Sequence, residues 1–212
     1  MMLYSAVKFF FKWWFKLFYR HATYGKEHYP ISGGAIIAPN HASFWDPPVI
    51  GISSPGEVFF IARSTLFGTI LGPFIRALNT YPVKPSEQNL EALRLVTNLL
   101  EEGKKVVIFP EGHRTEDGHL GPFKSGVAML ALRAHCPIIP VYIHGTYTIW
   151  DRTHVFPRFF GKTACVFGTP ISCEPYLALS KKEAQEALSH AVRDSIEALE
   201  NWYNAGAIGN PP

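Results

Sequence analysis

"GGAIIAPNHASFWDPP", residues 33–48, decides the fold. A glycine pair precedes a short apolar run that ends at Pro39, and so brief a run between turn formers reads as a buried strand. A polar loop with Asn40, His41 and Ser43 follows. Asp46, Pro47 and Pro48 then mark a helix start, because proline suits the first helical position and aspartate the cap before it. Strand, loop and helix in that order open an α/β unit.

The alternation continues outward. EVFFIAR (57–63) reads as a second strand, residues 65–77 as a helix, and TYPVKP (80–85) as an extended piece whose prolines suit a sheet edge. Ser86 caps a predicted helix to about residue 102, with Leu90, Leu93, Val96 and Leu100 on one side and Gly103 at its end. KKVVIF (104–109) is a buried strand, 124–135 a helix, and PIIPVYIHG (137–145) and TACVFG (163–168) are further strands. Ser180 with Glu183 makes a capping box for a long helix whose Leu188, Val192, Ile196 and Leu199 form an inward stripe. The prediction is an α/β fold: a mixed sheet flanked by helices, without internal repeat or linker.

The first twenty residues stand apart. Residues 4 to 19, Tyr4 and Tyr19 included, hold nine Phe, Trp and Tyr residues, and Lys8, Lys12, Lys16 and Arg20 recur every fourth position. On a helix that spacing gives a basic stripe beside an aromatic and aliphatic remainder. A signal peptide would carry its charges before the apolar run, and a spanning helix would leave Lys12 near mid-bilayer at a cost of roughly 2.5–3.5 kcal/mol. A helix in the membrane interface avoids that cost, with rings at headgroup depth and lysines on anionic phosphates. The alternative is a helix packed on the domain itself. The expected division is a membrane-associating helix, residues 1–22, and one α/β domain, residues 23–212.

The remaining composition excludes more than it assigns. A net charge of +3 is too mild for a nucleic-acid partner. Cys136, Cys165 and Cys173 are odd in number, have no CxxC spacing and lie in or near apolar stretches, so they read as buried reduced thiols. His21, His28, His119, His135, His144, His154 and His190 read as surface or packing residues.

His41 and Asp46 are five residues apart, roughly 140° round an ideal helix, so a helix would keep them separate. A turn entering a helix brings them together. An aspartate there accepts from one imidazole nitrogen, fixes the tautomer and leaves the other nitrogen free to take a proton. By itself His-x4-Asp is common by chance. A second stretch adds weight: VVIFPEGHRTEDGHLGPFKSG (106–126) follows a buried strand, and Glu111 and Arg114 bracket a sharp glycine turn. Glycine lets backbone approach a ligand, and arginine offers a planar fork for phosphate. Strand ends on an α/β sheet are where ligands sit.

Together these stretches resemble the glycerophospholipid acyltransferases, the family of bacterial 1-acyl-glycerol-3-phosphate acyltransferase. NHASFWDP looks like the family's NHx4D block, FPEGHRT is similar to FPEGTRS, and GPFKSG to the GxFKxG that follows. GPFIRALNTYPVKP (72–85) matches the middle block more loosely, and IIPVYIHGT (138–146) resembles the fourth. The blocks keep family order over about half the chain. His113 departs from the usual Thr or Ser, and Lys84 from the usual Arg.

The resemblance implies acyl transfer from an acyl thioester, acyl-CoA or acyl-carrier protein, to the free hydroxyl of a lysophospholipid, foremost 1-acyl-glycerol-3-phosphate. It implies His41 as base, Asp46 as its orienting partner, and Glu111, Gly112 and Arg114 at the acceptor phosphate, with Lys84 and Arg76 as helpers. Lys124 matches the FK block without an assigned role. No cofactor and no metal are expected. The expected partners are a phospholipid membrane surface, the lysolipid and the acyl donor, at the cytoplasmic face of the cell membrane as a peripheral or monotopic protein. Two other readings use the same residues. One is a metal-dependent phosphoester hydrolase with His41, Asp46, Glu111 and His113 as ligands. The other is a non-catalytic membrane-binding protein on the same fold.

Overall fold

The computed structural model describes residues 2–68, 72–83 and 90–212. Seven strands form one mixed sheet: β1 (Ala22–Tyr24), β2 (Ala35–Pro39), β3 (Phe59–Arg63), β4 (Thr80–Val83), β5 (Lys105–Val107), β6 (Ile138–His144) and β7 (Ala164–Phe167). Their order across the sheet is β1-β7-β6-β2-β5-β3-β4. Strands β6, β2, β5, β3 and β4 run parallel, while β7 pairs antiparallel with β6 and carries β1 parallel to itself. β4, with its proline, is an edge as expected. The three-residue β1 gave no sequence signal: it is too short for a period-2 pattern.

The helices are α1 (Met2–Tyr19), α2 (Asp46–Ser53), α3 (Gly72–Ala77), α4 (Leu90–Glu101), α5 (Gly126–Ala134), the single turn α6 (Thr146–Ile149) and α7 (Lys181–Asn204). Alternation along the strands sorts the core into two faces. Ile36 and Ala38 of β2 join the layer under α4, α5 and α7, while Ala35 and Ile37 join the layer under α1 and α2. Leu188, Val192, Ile196 and Leu199 are buried as the stripe predicted, and the Ser180–Glu183 capping box is present. Two expectations change. Residues 65–77 are not one helix but a 3-10 turn, Ser64–Gly68, and then α3. In α4 the inward set is Val96, Leu99 and Leu100, while Leu90 is exposed because the first turn overhangs the core. The predicted Ser86 cap and Lys84 lie outside the described residues.

Topology makes the crevice. From β2 the chain crosses β5 to reach β3 by way of α2, on one face. From β5 it crosses β2 to reach β6 by way of α5, on the other. Right-handed crossovers in opposite directions require opposite faces. The loops after β2 and β5 therefore diverge, and their strand ends form the switch point where such sheets bind ligands.

Helix α1 packs on the domain along one side and leaves apolar side chains exposed along another. Tyr4, Phe15 and Tyr19 are buried, and Phe15 and Tyr19 belong to the same core layer as Val49 and Ile50. Phe9, Phe10, Trp13 and Leu17 remain exposed. The basic stripe divides as well. Lys12, Lys16 and Arg20 are exposed, but Lys8 turns inward and donates to the Ser54 and Gly56 carbonyls at 2.6 and 3.0 Å. No helix among the described residues is long and apolar enough to cross a membrane.

All three cysteines are free and buried, and burial pushes the Cys136 and Cys165 thiols up to about 12. His21 locks the end of α1. Its ring nitrogens lie 2.9 Å from the Thr163 and Ser53 hydroxyls, and burial, reinforced by Lys26, lowers its pKa from 6.5 to about 4. Between those values the unfolded chain binds a proton that the folded chain refuses, so stability falls as pH drops through that window. The loss should approach roughly 3 kcal/mol near pH 4. Chemical denaturation at pH 7, 5.5 and 4.5 should give this slope for the wild type and a flatter one for His21→Gln; equal slopes would remove His21 as the cause.

Candidate active site

The site stands on three loops, each leaving the C-terminal end of a parallel strand: 40–46 after β2, 110–115 after β5 and 145–146 after β6. Asn40 extends the sheet beyond its backbone. Its side-chain amide donates to the Ile143 carbonyl at 3.1 Å and accepts from the Ile143 N–H at 2.7 Å. That clasp fixes where the next residue, His41, leaves the sheet.

His41 and Asp46 meet. His41 Nδ1 lies 2.8 Å from Asp46 Oδ2, with the imidazole 18% exposed and the carboxylate fully buried. Asp46 is not the helix cap its neighbours suggested. It belongs to the first turn of α2, and its Oδ2 reaches back to accept from the Ala42 and Ser43 amides at 2.6 and 2.7 Å. Its Oδ1 accepts from the buried Thr146 hydroxyl at 2.6 Å. A carboxylate has acceptors only, so the proton between Asp46 and His41 sits on Nδ1, leaving Nε2 with a lone pair. The ring stacks on Phe109, centroids 3.9 Å apart.

Glu111 holds this loop against the next one. It is buried, and its two oxygens accept from the His41 amide at 2.7 Å and the Gly121 amide at 3.0 Å. The Thr115 amide in turn donates to the His41 carbonyl at 2.8 Å. Both backbone groups of His41 are thus bound to the 111–115 turn. With both oxygens taken by main-chain donors, the help expected of Glu111 at the acceptor phosphate would come through its hold on His41 and the 111–115 turn. Burial raises its pKa despite those two hydrogen bonds. Gly112 has φ +75°, and a Cβ there would press on the Lys124 side chain at 3.1 Å. Its amide donates to the Phe109 carbonyl at 3.1 Å, so it is not a free donor for a substrate oxygen.

Arg114 lies over Phe44, its guanidinium carbon 3.6 Å from the ring centroid. Its Nη1 is buried and unpartnered among the described residues, an arrangement that is costly unless an acceptor arrives. Burial, followed by the charge of Arg152, lowers its pKa, as befits a cation short of partners. Arg76 keeps to its own neighbourhood, over the Phe67 ring at 5.4 Å. The ligand set of the hydrolase reading does not assemble. The Asp46 and Glu111 oxygens face N–H and O–H donors, exposed His113 bonds the Arg114 carbonyl, and no metal-holding group of three or more such residues occurs among the described residues.

Three contributors escaped the sequence reading: Asn40, Thr146 and Phe109. Thr146 lies a hundred residues along the chain from Asp46. The one trace was the fourth block, which ends on it. Behind this loop a cavity of about 240 Å³ is lined by Asn40, Ala42, His144 and Thr146, but not by His41 or Arg114.

A buried acid orients an imidazole, and the neighbouring loop carries a guanidinium with a buried nitrogen unpartnered among the described residues; such groups can serve acyl transfer to an alcohol. The chain belongs to the acyltransferase family, whose profile matches residues 20–144. It is an acyltransferase. It is 28% identical over 181 residues to the 1-acyl-sn-glycerol-3-phosphate acyltransferase of Bacillus subtilis, covering 84% of this chain and 87% of that one. The Limnanthes douglasii enzyme of the same name is 33% identical over 137 residues, 60% of this chain and 46% of that longer protein. The crystal structure of the 1-acyl-sn-glycerophosphate acyltransferase from Thermotoga maritima superposes with a TM-score of 0.77 at 27% identity, over 93% of this chain and 79% of that one.

Thr146→Val keeps the side-chain shape but removes one donor from a buried charge, a loss of about 1.5–3 kcal/mol. Unfolding measurements should register that loss together with a lower kcat at similar KM, and Thr146→Ser should restore both. If valine matches the wild type, the Thr146 hydroxyl does not hold Asp46.

Proposed function

We propose that this enzyme transfers a fatty acyl group from an acyl thioester to the free hydroxyl of 1-acyl-glycerol-3-phosphate, giving phosphatidic acid, at a membrane surface. The observation that carries the reading is the His41–Asp46 pair with Arg114 on the adjoining loop, whose guanidinium has a buried nitrogen without an acceptor among the described residues.

An alcohol attacks poorly until its proton has somewhere to go. His41 Nε2 takes that proton as the hydroxyl oxygen bonds to the thioester carbon. Asp46 steadies the imidazolium that results. When the tetrahedral intermediate collapses, the C–S bond breaks and the leaving sulfur receives the proton from His41. The thioester is already activated, so no nucleophilic serine or cysteine is required; all three cysteines are buried thiols. Arg114 takes the acceptor's phosphate as a bidentate partner, with the Lys124 ammonium held close to Gly112 as a second cation. The donor's carrier group, coenzyme A or carrier protein, lies beyond the reacting thioester and leaves these roles unchanged. An acceptor dissolved in a bilayer calls for a surface-bound enzyme, and the exposed Phe9, Phe10, Trp13 and Leu17 of α1, beside Lys12 and Lys16, suit the cytoplasmic leaflet.

Thiol release from an acyl thioester, followed with and without 1-acyl-glycerol-3-phosphate, tests the reading. Release should depend on the acceptor and fall on the order of 10²–10⁴-fold in His41→Ala, the usual contribution of a general base. Acceptor-independent release, or a fully active alanine variant, would refute it. Arg114→Ala should lower kcat/KM for the phosphate-bearing acceptor by roughly 10- to 150-fold and spare the KM of the donor; an equal effect on the donor would move Arg114 to the other substrate.

A further inference from the structure

Four large apolar side chains stand in water on the loop between α6 and β7. Val155, Phe156, Phe159 and Phe160 are 78%, 81%, 73% and 74% exposed. The loop is nevertheless tied down. The Arg158 amide donates to the Ile149 carbonyl at 2.9 Å, and the Arg158 carbonyl accepts from the Tyr19 hydroxyl at 3.0 Å. The Gly161 amide donates to the Phe18 carbonyl at 3.2 Å. Two of these three ties run to the end of α1, and the Phe160 ring meets Phe18 at 5.9 Å. A loop fixed at its base with its rings turned outward is built to present them.

We infer that residues 155–160 are a second membrane-inserting element, which acts with the exposed face of α1 to set the enzyme's orientation on an anionic bilayer. This rests on the reading that the acceptor is a membrane lipid. Charge chooses a bilayer over a protein partner. No Asp or Glu occurs in residues 1–26 or 152–162. Lys12, Lys16, Arg20 and Arg158 are exposed around the rings, whereas Arg152 is neutralised by Glu116 at 2.5 Å. Basic side chains around exposed aromatics are the composition of an interfacial anchor. The surface also leads to the chemistry. The loop springs from Trp150, which meets Trp45 at 5.1 Å and half-exposed Phe44 at 4.9 Å, and Phe44 carries Arg114. One anchor leaves the molecule free to roll about it. Two anchors fix the roll, so that Phe44 and Arg114 face the headgroup layer and an acceptor reaches His41 without leaving its leaflet.

The test uses the full chain carrying Phe156→Ser and Phe159→Ser, two rings outside the core and outside the catalytic loops. Each ring transferred from water to lipid is worth on the order of tenfold in partitioning. Binding to phosphatidylglycerol-containing vesicles should therefore fall at least tenfold, with an unchanged circular dichroism melt and with transfer to detergent-dispersed acceptor within about twofold of wild type. A polarity-sensitive fluorophore on Phe156→Cys, selective because the native thiols are buried, should shift to the blue on vesicle binding. Unchanged vesicle affinity of the serine variant would overturn the proposal, as would a label that stays in water while the chain is bound. A wild-type chain that dimerises without vesicles, and a variant that does not, would assign the patch to a second copy instead. Should the wild type transfer nothing in detergent, the proposed function fails, and the vesicle measurements still decide the anchor.

Discussion

Everything at the site depends on one buried charge. Asp46 is fully enclosed and accepts from His41 Nδ1, the Ala42 and Ser43 amides and the Thr146 hydroxyl, all between 2.6 and 2.8 Å. A carboxylate in such a place is tolerable only with its lone pairs met. The same contacts that make it tolerable hold the 40–46 loop in shape, join it to the end of β6 and fix the histidine tautomer. Stability of the loop and orientation of the imidazole rest on one arrangement, and removal of any donor should weaken both.

Glu111 plays the matching part between loops. Glu111 reaches the His41 amide seventy residues away, and Asp46 reaches the Thr146 hydroxyl a hundred residues away, so two buried carboxylates tie distant segments into one site. Among the described residues His41 keeps a ring nitrogen for a proton and Arg114 a buried nitrogen for an anion. The sheet explains why these segments meet. β2 lies between β5 and β6, so the loops after all three strands emerge side by side at the switch point.

Much of this was legible in the sequence, for physical reasons. Strands buried on both faces read as apolar runs, and the amphipathic α7 announced both its cap and its stripe. His41 and Asp46 meet as their spacing before a helix suggested, because local motifs carry local geometry. What stayed hidden was non-local. Nothing near Thr146 or Asn40 says that their side chains close on Asp46 or on the backbone of β6. The partners of Glu111 were not foreseen because they are backbone amides, which have no signature in sequence. Helix α1 was legible as amphipathic, but the inward turn of Lys8 depends on carbonyls at Ser54 and Gly56, which only the fold supplies.

In the proposed mechanism Asp46 keeps a hydrogen on Nδ1 of His41 and leaves Nε2 free to accept the substrate's proton. Nitrogen NMR of ¹⁵N-histidine-labelled enzyme, with His41 assigned by its absence in a His41→Gln variant, reports the two ring nitrogens separately. The neutral ring should be the Nδ1–H tautomer, and Asp46→Asn should abolish this preference. A neutral His41 that carries its hydrogen on Nε2 in the wild type would contradict it.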